Sequence, residues 1–173
     1  MDTMNSSVGS RFYSIDFHVH TPESPDYKDK NAKPEDIIES AINAGLDAIL
    51  VADHNSSGWI EKIRDVARGK PLTIFPGFEI NAQGGHILAL FDPVTPIGVI
   101  ETALIEAGIK KVNWGNPEIV GKDLETVFKA IASNEGIVIA AHVDGPKGFL
   151  TALDHGAAKI KIYSIYLGIT KFR

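Results

Sequence analysis

Six histidines lie scattered along 173 residues, and where they fall is the most informative feature of the sequence. His18 and His20 are separated by one residue in the first apolar run. In an extended strand the side-chain period of two aims both at one side, about 7 Å apart, with Asp16 on the same face. His54 follows the run Leu46 to Ala52, Glu79 ends the run Leu72 to Phe78, and His142 ends Ile137 to Ala141, while His86 starts a run of its own. Neutral imidazole and carboxylate are ligands for divalent zinc, manganese or iron, and a set of four or more without thiolate suits a hydrolytic metal centre. A bridging glutamate can hold two ions. Two ions about 3.5–4 Å apart generate hydroxide near neutral pH and stabilise both oxygens of an in-line displacement, the chemistry of phosphoester hydrolysis.

Any one of these histidines, taken alone, reads equally as a hydrogen-bonded structural residue. The series changes that weighing, because burying His18 and His20 together without partners costs roughly a few kcal/mol of desolvation, which a cation offsets. Asp53 directly precedes His54 and is expected to orient a ligand from behind rather than to bind, and Asp16 has the same standing. His155, beside Asp154 in a helix-like segment, reads as a surface residue.

The ligands need a frame that brings strand ends together. Short runs rich in Ile, Val and Leu alternate with segments of helical spacing, which is the sequence form of βα units around a parallel sheet. Strands are expected near 12–20, 46–52, 72–80, 86–91, 137–142 and 160–166. Helices are expected near 57–68, 97–107, 122–134 and 147–158, besides one opened by Pro34, with Glu35 and Asp36 in its first turn and Gly45 as its stop. The stretch from Leu72 to His86 has no room for a helix, so the third and fourth strands form a hairpin across Asn81 to Gly85. In parallel α/β folds the carboxyl ends of the strands share one rim, where catalytic groups collect. Residues remote in sequence therefore converge there.

Composition narrows the function. With 22 acidic and 17 basic side chains the net charge is −5, which gives no global field for nucleic acid. The chain has no cysteine, so thiolate zinc sites, iron–sulfur clusters and cysteine nucleophiles are excluded. The opening residues carry no secretory signal and no apolar run has the length of a bilayer span, which predicts a cytoplasmic protein without a membrane partner. Residues 1–10 are expected to form a flexible tail and 11–173 a single metal-binding domain.

Asp16-Phe17-His18-Val19-His20-Thr21, Ala52-Asp53-His54-Asn55, Pro76-Gly77-Phe78-Glu79-Ile80, Gly85-His86-Ile87-Leu88 and Ala141-His142 resemble, in order, the motifs of the PHP family, the polymerase and histidinol phosphatase domain. The likeness runs from about residue 10 to 145. The segments Gly9-Ser10-Arg11-Phe12-Tyr13 and Asp26-Tyr27-Lys28-Asp29-Lys30 look most like PHP modules at the amino end of longer ATPase proteins. The resemblance implies an α/β fold of the distorted (βα)7 TIM-like barrel type and two or three divalent ions, zinc, manganese or iron. It also implies hydrolysis of phosphate esters, with Glu79 and His142 as catalytic residues. Carried over by motif, His18 and His20 bind one ion with Glu79 as a bridge. Glu79, His86 and His142 bind the second, and Asp26 and His54 contribute to the third.

The sequence departs from the family in one respect: the late strand with an aspartate and a histidine two residues apart is not found, and the segment 160–173 is apolar without it. The barrel is therefore expected to be incomplete at the carboxyl end, with an exposed edge suited to an ATPase domain or another copy of the chain. Two functions follow. One is a metal-dependent phosphoesterase acting by a metal-bound hydroxide on a phosphorylated small molecule, nucleotide or oligonucleotide, with Lys147 as a possible phosphate contact. The other is a catalytically impaired metal-binding or regulatory module. An amidohydrolase, which also begins with a strand HxH, ranks last because the Pro76-Gly77-Phe78-Glu79 block does not fit that class.

Overall fold

A computed structural model describes residues 12–145. The expected tail 1–10, the helix 147–158 with Lys147, Asp154 and His155, and the strand 160–166 lie outside the described residues. The rest is a mixed α/β unit with one curled five-stranded sheet, a half-barrel, and four α-helices. In chain order the elements are β1 (Ile15–Val19), α1 (Pro34–Asn43), β2 (Ala48–Val51), α2 (Ile60–Ala67), β3 (Thr73–Ala82), β4 (Gly85–Leu90), α3 (Ile97–Glu106), α4 (Leu124–Ser133) and β5 (Ile137–Ala140). A single 3-10 turn at Lys111–Asn113, which the sequence does not announce, separates α3 from α4.

The first three strands are parallel and joined by helices, as βαβ units require. The alternation then stops. β3 turns back into β4 through Gln83 and Gly84, with Ala82 opposite Gly85, so the expected hairpin is present. Gly84 and Gly85 have φ of 121° and 130°, a region that side chains strongly disfavour. β5 then pairs antiparallel with β4 and runs in the direction of β1, β2 and β3.

Two apolar clusters fill the two faces of the sheet. The larger lies under the helices and includes Ile38, Ile49, Val51, Ile63, Phe78, Ile80, Phe91, Ile100 and Ile131. The smaller lies inside the curl and consists of Leu50, Ala52, Leu88, Leu90 and Ala141. Gly77 packs closely against this inner layer: a Cβ there would stand 1.9 Å from the Ala89 carbonyl oxygen and 2.7 Å from Leu50 Cδ1. α1 starts at Pro34 and stops before Gly45 (φ 75°), as its end signals predict. α2 starts three residues later than its periodicity suggests, because the chain first turns at Asn55, with φ 49°, and again at Gly58 and Trp59.

The expectation that Asp16 shares a face with His18 and His20 is not met. Asp16 is opposite Ile49 and Val19 is opposite Val51, so β1 carries one extra residue where β2 has none. This bulge turns Asp16 to the helix side, beside Ile37, Ser40, Ala41 and Ile49, while His18 and His20 remain inside the curl. Asp16 Oδ1 accepts the His18 backbone N–H at 2.9 Å and so braces the bulge.

Candidate metal centre

Each of the five histidines among the described residues reaches the inside of the curl for a local reason. His18 and His20 follow the bulge. Leu50, Ala52 and His54 keep the inward phase of β2, and His54 forms a single parallel bridge with Glu79. Glu79 lies opposite Leu88, and His86 lies opposite Asn81, two residues further on the same face of β3. His142 is out of phase, since Ile139 is the inward residue opposite Leu88 and Ala141 packs in the inner cluster. A φ of 24° at His142 reverses its direction. Such a conformation is uncommon for a side-chain-bearing residue and is often found where function holds it.

The result is a ring of five imidazoles around one carboxylate. Neighbouring centroids are 4.9 Å apart for His18–His20, 4.6 Å for His20–His54, 5.8 Å for His54–His86, 5.1 Å for His86–His142 and 5.8 Å for His142–His18, which closes the circle. Glu79, 1% exposed, is at the centre, and its two oxygens divide the ring. Oε2 is 3.1 Å from His18 Nε2, His20 Nε2 and His54 Nδ1. Oε1 is 2.7 Å from His86 Nδ1 and 3.0 Å from His142 Nε2. Asp26 stands at the edge, with its oxygens 3.0 and 3.1 Å from His20 Nδ1 and 3.6 Å from His54 Nε2. The cleft has a volume of about 740 Å³ and is also lined by Pro25, Pro117, Glu118 and Gly145.

Hydrogen bonding alone satisfies this arrangement poorly. His18 Nε2 and His20 Nε2 face each other at 3.1 Å, and only one of them can donate to the other. His54 Nδ1, although close to Oε2, makes no hydrogen bond, and neither does His86 Nε2; both atoms are buried. Lone pairs directed at shared points with no proton between them are what divalent cations require, and the donor set of nitrogen and oxygen suits zinc, manganese or iron. Three compact ligand groups are present, each with its atoms within 4.8 Å of one another: His18, His20 and Glu79; His20, Asp26 and His54; and His54, Glu79 and His86. His142 belongs to none of the three, although its ring is nearer His86 than that of His54 is and its Nε2 shares Glu79 Oε1 with His86 Nδ1.

The electrostatics follow from packing. Burial by itself would raise the Glu79 carboxyl, but contacts from His18, His20 and His86 prevail and hold it far below the usual carboxylate range. Burial depresses His54, assisted by the neighbouring His20 ring and opposed by Glu79 and Asp26. Burial also acts to lower His20, yet its contacts with Glu79 and Asp26 outweigh this and raise it. Glu79 is thus an anion, and His54 is kept neutral, the form that coordinates.

Behind the ring is a set of anchors. Asp53, 1% exposed, accepts the Thr21 backbone N–H and hydroxyl, both at 2.7 Å, and the Ser24 hydroxyl at 2.8 Å. It therefore orients no histidine ring directly. Its carboxylate fixes the turn that carries Asp26, and Ser24 Oγ in return accepts the His54 N–H at 3.0 Å. Burial pushes the Asp53 carboxyl up, against the pull of the Thr21 and Ser24 hydrogen bonds. Asn55 adopts φ 49°, donates its N–H to the Glu79 carbonyl at 2.7 Å, and donates its side-chain amide to the carbonyls of Asn116 and Ile119 at 2.8 and 2.9 Å. Sequence reasoning passed over Asn55, although an asparagine just after a strand-end ligand is suited to a left-handed turn. It also passed over Glu118, which carries no motif.

The structure brings His18, His20, Asp26, His54, Glu79, His86 and His142 to one cleft. No protein-family model and no curated protein matches the chain. Solved structures do. One is from Bifidobacterium adolescentis and is proposed to be a metal-dependent phosphoesterase; it has a TM-score of 0.56 at 17% identity, covering 79% of this chain and 69% of that one. Another is an amidohydrolase from Chromobacterium violaceum, solved with bound sulfate and no metal; it has a TM-score of 0.57 at 17% identity, covering 91% of this chain and 74% of that one. Among the described residues no helix is long and apolar enough to cross a membrane. At this identity the two likenesses are likenesses of fold, and the half-barrel seen here is the part of it these residues build.

Proposed function

We propose that this chain is a metal-dependent phosphoesterase of the PHP type, its curled sheet being part of a distorted (βα)7 barrel. One observation carries the reading: the two oxygens of a single buried glutamate are each faced by their own histidines, three on Oε2 and two on Oε1. That is the layout of a bridging carboxylate. His18, His20 and Glu79 would hold one ion, and Glu79 with His86, and with His54 or His142, a second. Divalent ions bound there supply Lewis acidity and an ionised water at neutral pH.

The chain's own groups have separable tasks. Glu79 remains ionised and cancels part of the cationic charge. Asp26 holds the outer nitrogen of His20. The surrounding rings and Pro25 and Pro117 form a cleft of a size suited to a small ester. The fold shared with a protein proposed to be a metal-dependent phosphoesterase supports this reading.

Hydrolysis of an amide at the same centre is the second reading, supported by the amidohydrolase of similar TM-score. The purified chain, loaded in turn with zinc, manganese and iron, is to be assayed against phosphomonoesters, phosphodiesters and N-acyl amino acids. Turnover of a phosphoester that disappears with chelator and returns with metal is the expected result. Turnover of the amides alone would replace the first reading by the second, and turnover of neither class by a chain that binds metal would favour a non-catalytic module.

A further inference from the structure

A glutamate inside a turn such as Thr21-Pro22-Glu23-Ser24 is ordinarily a solvated residue. Glu23 is half-buried instead, and its carboxylate lies in a notch between two other loops. A Cβ on Gly58 would stand 2.8 Å from Glu23 Oε1 and 3.1 Å from its Cδ. One on Gly115 would stand 3.7 Å from the same Oε1 and 3.5 Å from the Glu23 backbone oxygen. Gly115 has a φ of 77°, which by itself favours glycine, but Gly58 has no positive φ. What the missing side chain of Gly58 provides is the room that the carboxylate occupies.

The carboxylate completes a run of hydrogen bonds that brackets His54. The Gly58 N–H donates to Ser56 Oγ at 3.1 Å, and the Ser56 hydroxyl donates to Glu23 Oε1 at 3.0 Å. The Glu23 N–H donates to Thr21 Oγ1 at 3.2 Å, and the Thr21 hydroxyl donates to Asp53. His54 thus lies between two residues of its own loop, Asp53 and Ser56, that are both fastened to the turn leading to Asp26. Asp53 and Ser56 are each 1% exposed, so water competes little for these bonds.

We propose that Glu23 is a positioning residue of the metal centre: it clasps the Asp26 turn to the His54 loop and so sets how tightly the cation served by His20 and His54 is held. The inference rests on the metal-centre part of the reading above and not on the reaction. Asp26 Oδ1 is 3.0 Å from His20 Nδ1 and Asp26 Oδ2 is 3.6 Å from His54 Nε2, so a small displacement of either loop changes both spacings. Affinity at a metal centre depends on such spacings being held by the groups behind the ligands. His18, Glu79 and His86 stand on β1, β3 and β4, whose ladders do not involve the clasp. Loss of Glu23 should therefore be felt at one cation rather than across the whole centre.

The test is chelator competition with zinc and with manganese on the full chain, with urea unfolding as the control on folding. Glu23→Ala should weaken one bound cation about tenfold and leave the others unchanged, the scale expected when a support behind a metal ligand is removed. Glu23→Gln keeps an oxygen for the Ser56 hydroxyl and should restore most of the affinity. In Gly58→Ala the methyl displaces the end of a flexible side chain, so the same cation should weaken. Glu23→Ala and Gly58→Ala combined should lose no more than Glu23→Ala alone, because both act through one contact. Unchanged affinity in Glu23→Ala overturns the inference and leaves the metal centre standing. Equal loss in the Ala and Gln variants does the same, since charge alone would then account for the effect, and so do additive losses in the double variant. If Glu23→Ala does not fold, unchanged affinity in Gly58→Ala is sufficient to overturn it. A wild-type chain that binds neither metal overturns the metal-centre reading and the inference with it.

Discussion

His20 is gripped from both sides: its Nδ1 lies 3.0 Å from Asp26 Oδ1 while its Nε2 lies 3.1 Å from Glu79 Oε2. A neutral imidazole has one proton and one lone pair, so it cannot offer a lone pair in both directions. With Nε2 turned to the ring centre, Nδ1–H donates to Asp26, the arrangement in which an outer carboxylate fixes the tautomer of a metal-binding histidine. Asp26→Asn should lower cation affinity about 10- to 100-fold while the number of ions per chain is retained. Elemental analysis at saturating metal that shows the loss of a whole ion would instead make Asp26 a ligand.

Removal of the central carboxylate should act on more than one ion. Glu79→Ala is expected to reduce bound metal by about two equivalents, since both oxygens face histidines, whereas His86→Ala should mainly weaken one. Stoichiometry by elemental analysis and affinity by chelator competition check the pair. Equal, full occupancy in both variants would contradict a bridging role.

Opposite shifts at two neighbouring histidines give a pH signature. His20 is raised above its ordinary value and His54 is lowered below it. Protonated imidazole does not coordinate, so as pH falls the sites that use His20 should weaken first, beginning above about 6.5, and His54 should persist to lower pH. In the metal-free chain the signs also differ. Stability from charged His20 is present below about 6.5 and is lost as pH rises through its raised folded value. Stability from neutral His54 is present above about 6.5 and is lost as pH falls through its depressed value. Histidine titration by NMR in the metal-free chain checks the order, and coincident midpoints would refute it.

Asp53 is predicted to be a stability residue as much as a site residue. Its carboxylate accepts three hydrogen bonds from Thr21 and Ser24, which are themselves fully buried. Asp53→Ala leaves those donors without an acceptor and should cost roughly 2–4 kcal/mol in urea unfolding. A loss below about 0.5 kcal/mol would show that water replaces the carboxylate.

Gly77→Ala tests the close approach of β3 and β4. The added methyl meets a backbone carbonyl oxygen, which has no rotamer to escape into. A loss of about 3 kcal/mol or more is expected by thermal or chemical unfolding, larger than for a usual overpacking change.

Much of this was legible from periodicity. The position of His54 just past β2, the hairpin at Gln83–Gly84 and the limits of α1 follow from apolar runs and end signals, which are local; Glu79, expected where its strand runs out, lies inside β3 because the hairpin carries that strand on to Ala82. What escaped depends on single backbone dihedrals or on distant partners. A repeat of two cannot reveal that β1 gains a residue before His18, nor that His142 turns through a positive φ. Asn55 escaped because its partners, Asn116 and Ile119, are brought to it only by the tertiary fold. Asp53 was recognised as supporting, but its partners proved to be a turn rather than an imidazole.

The bulge in β1 has a corollary for how such a site tolerates change. It works as a phase shifter: the extra residue lets Asp16 and Val19 both stay on the helix side while His18 and His20 face inward. Deleting Phe17 would restore the even rhythm with Asp16 still outside the cavity, so the bulge could be removed without changing the charge of the histidine pocket.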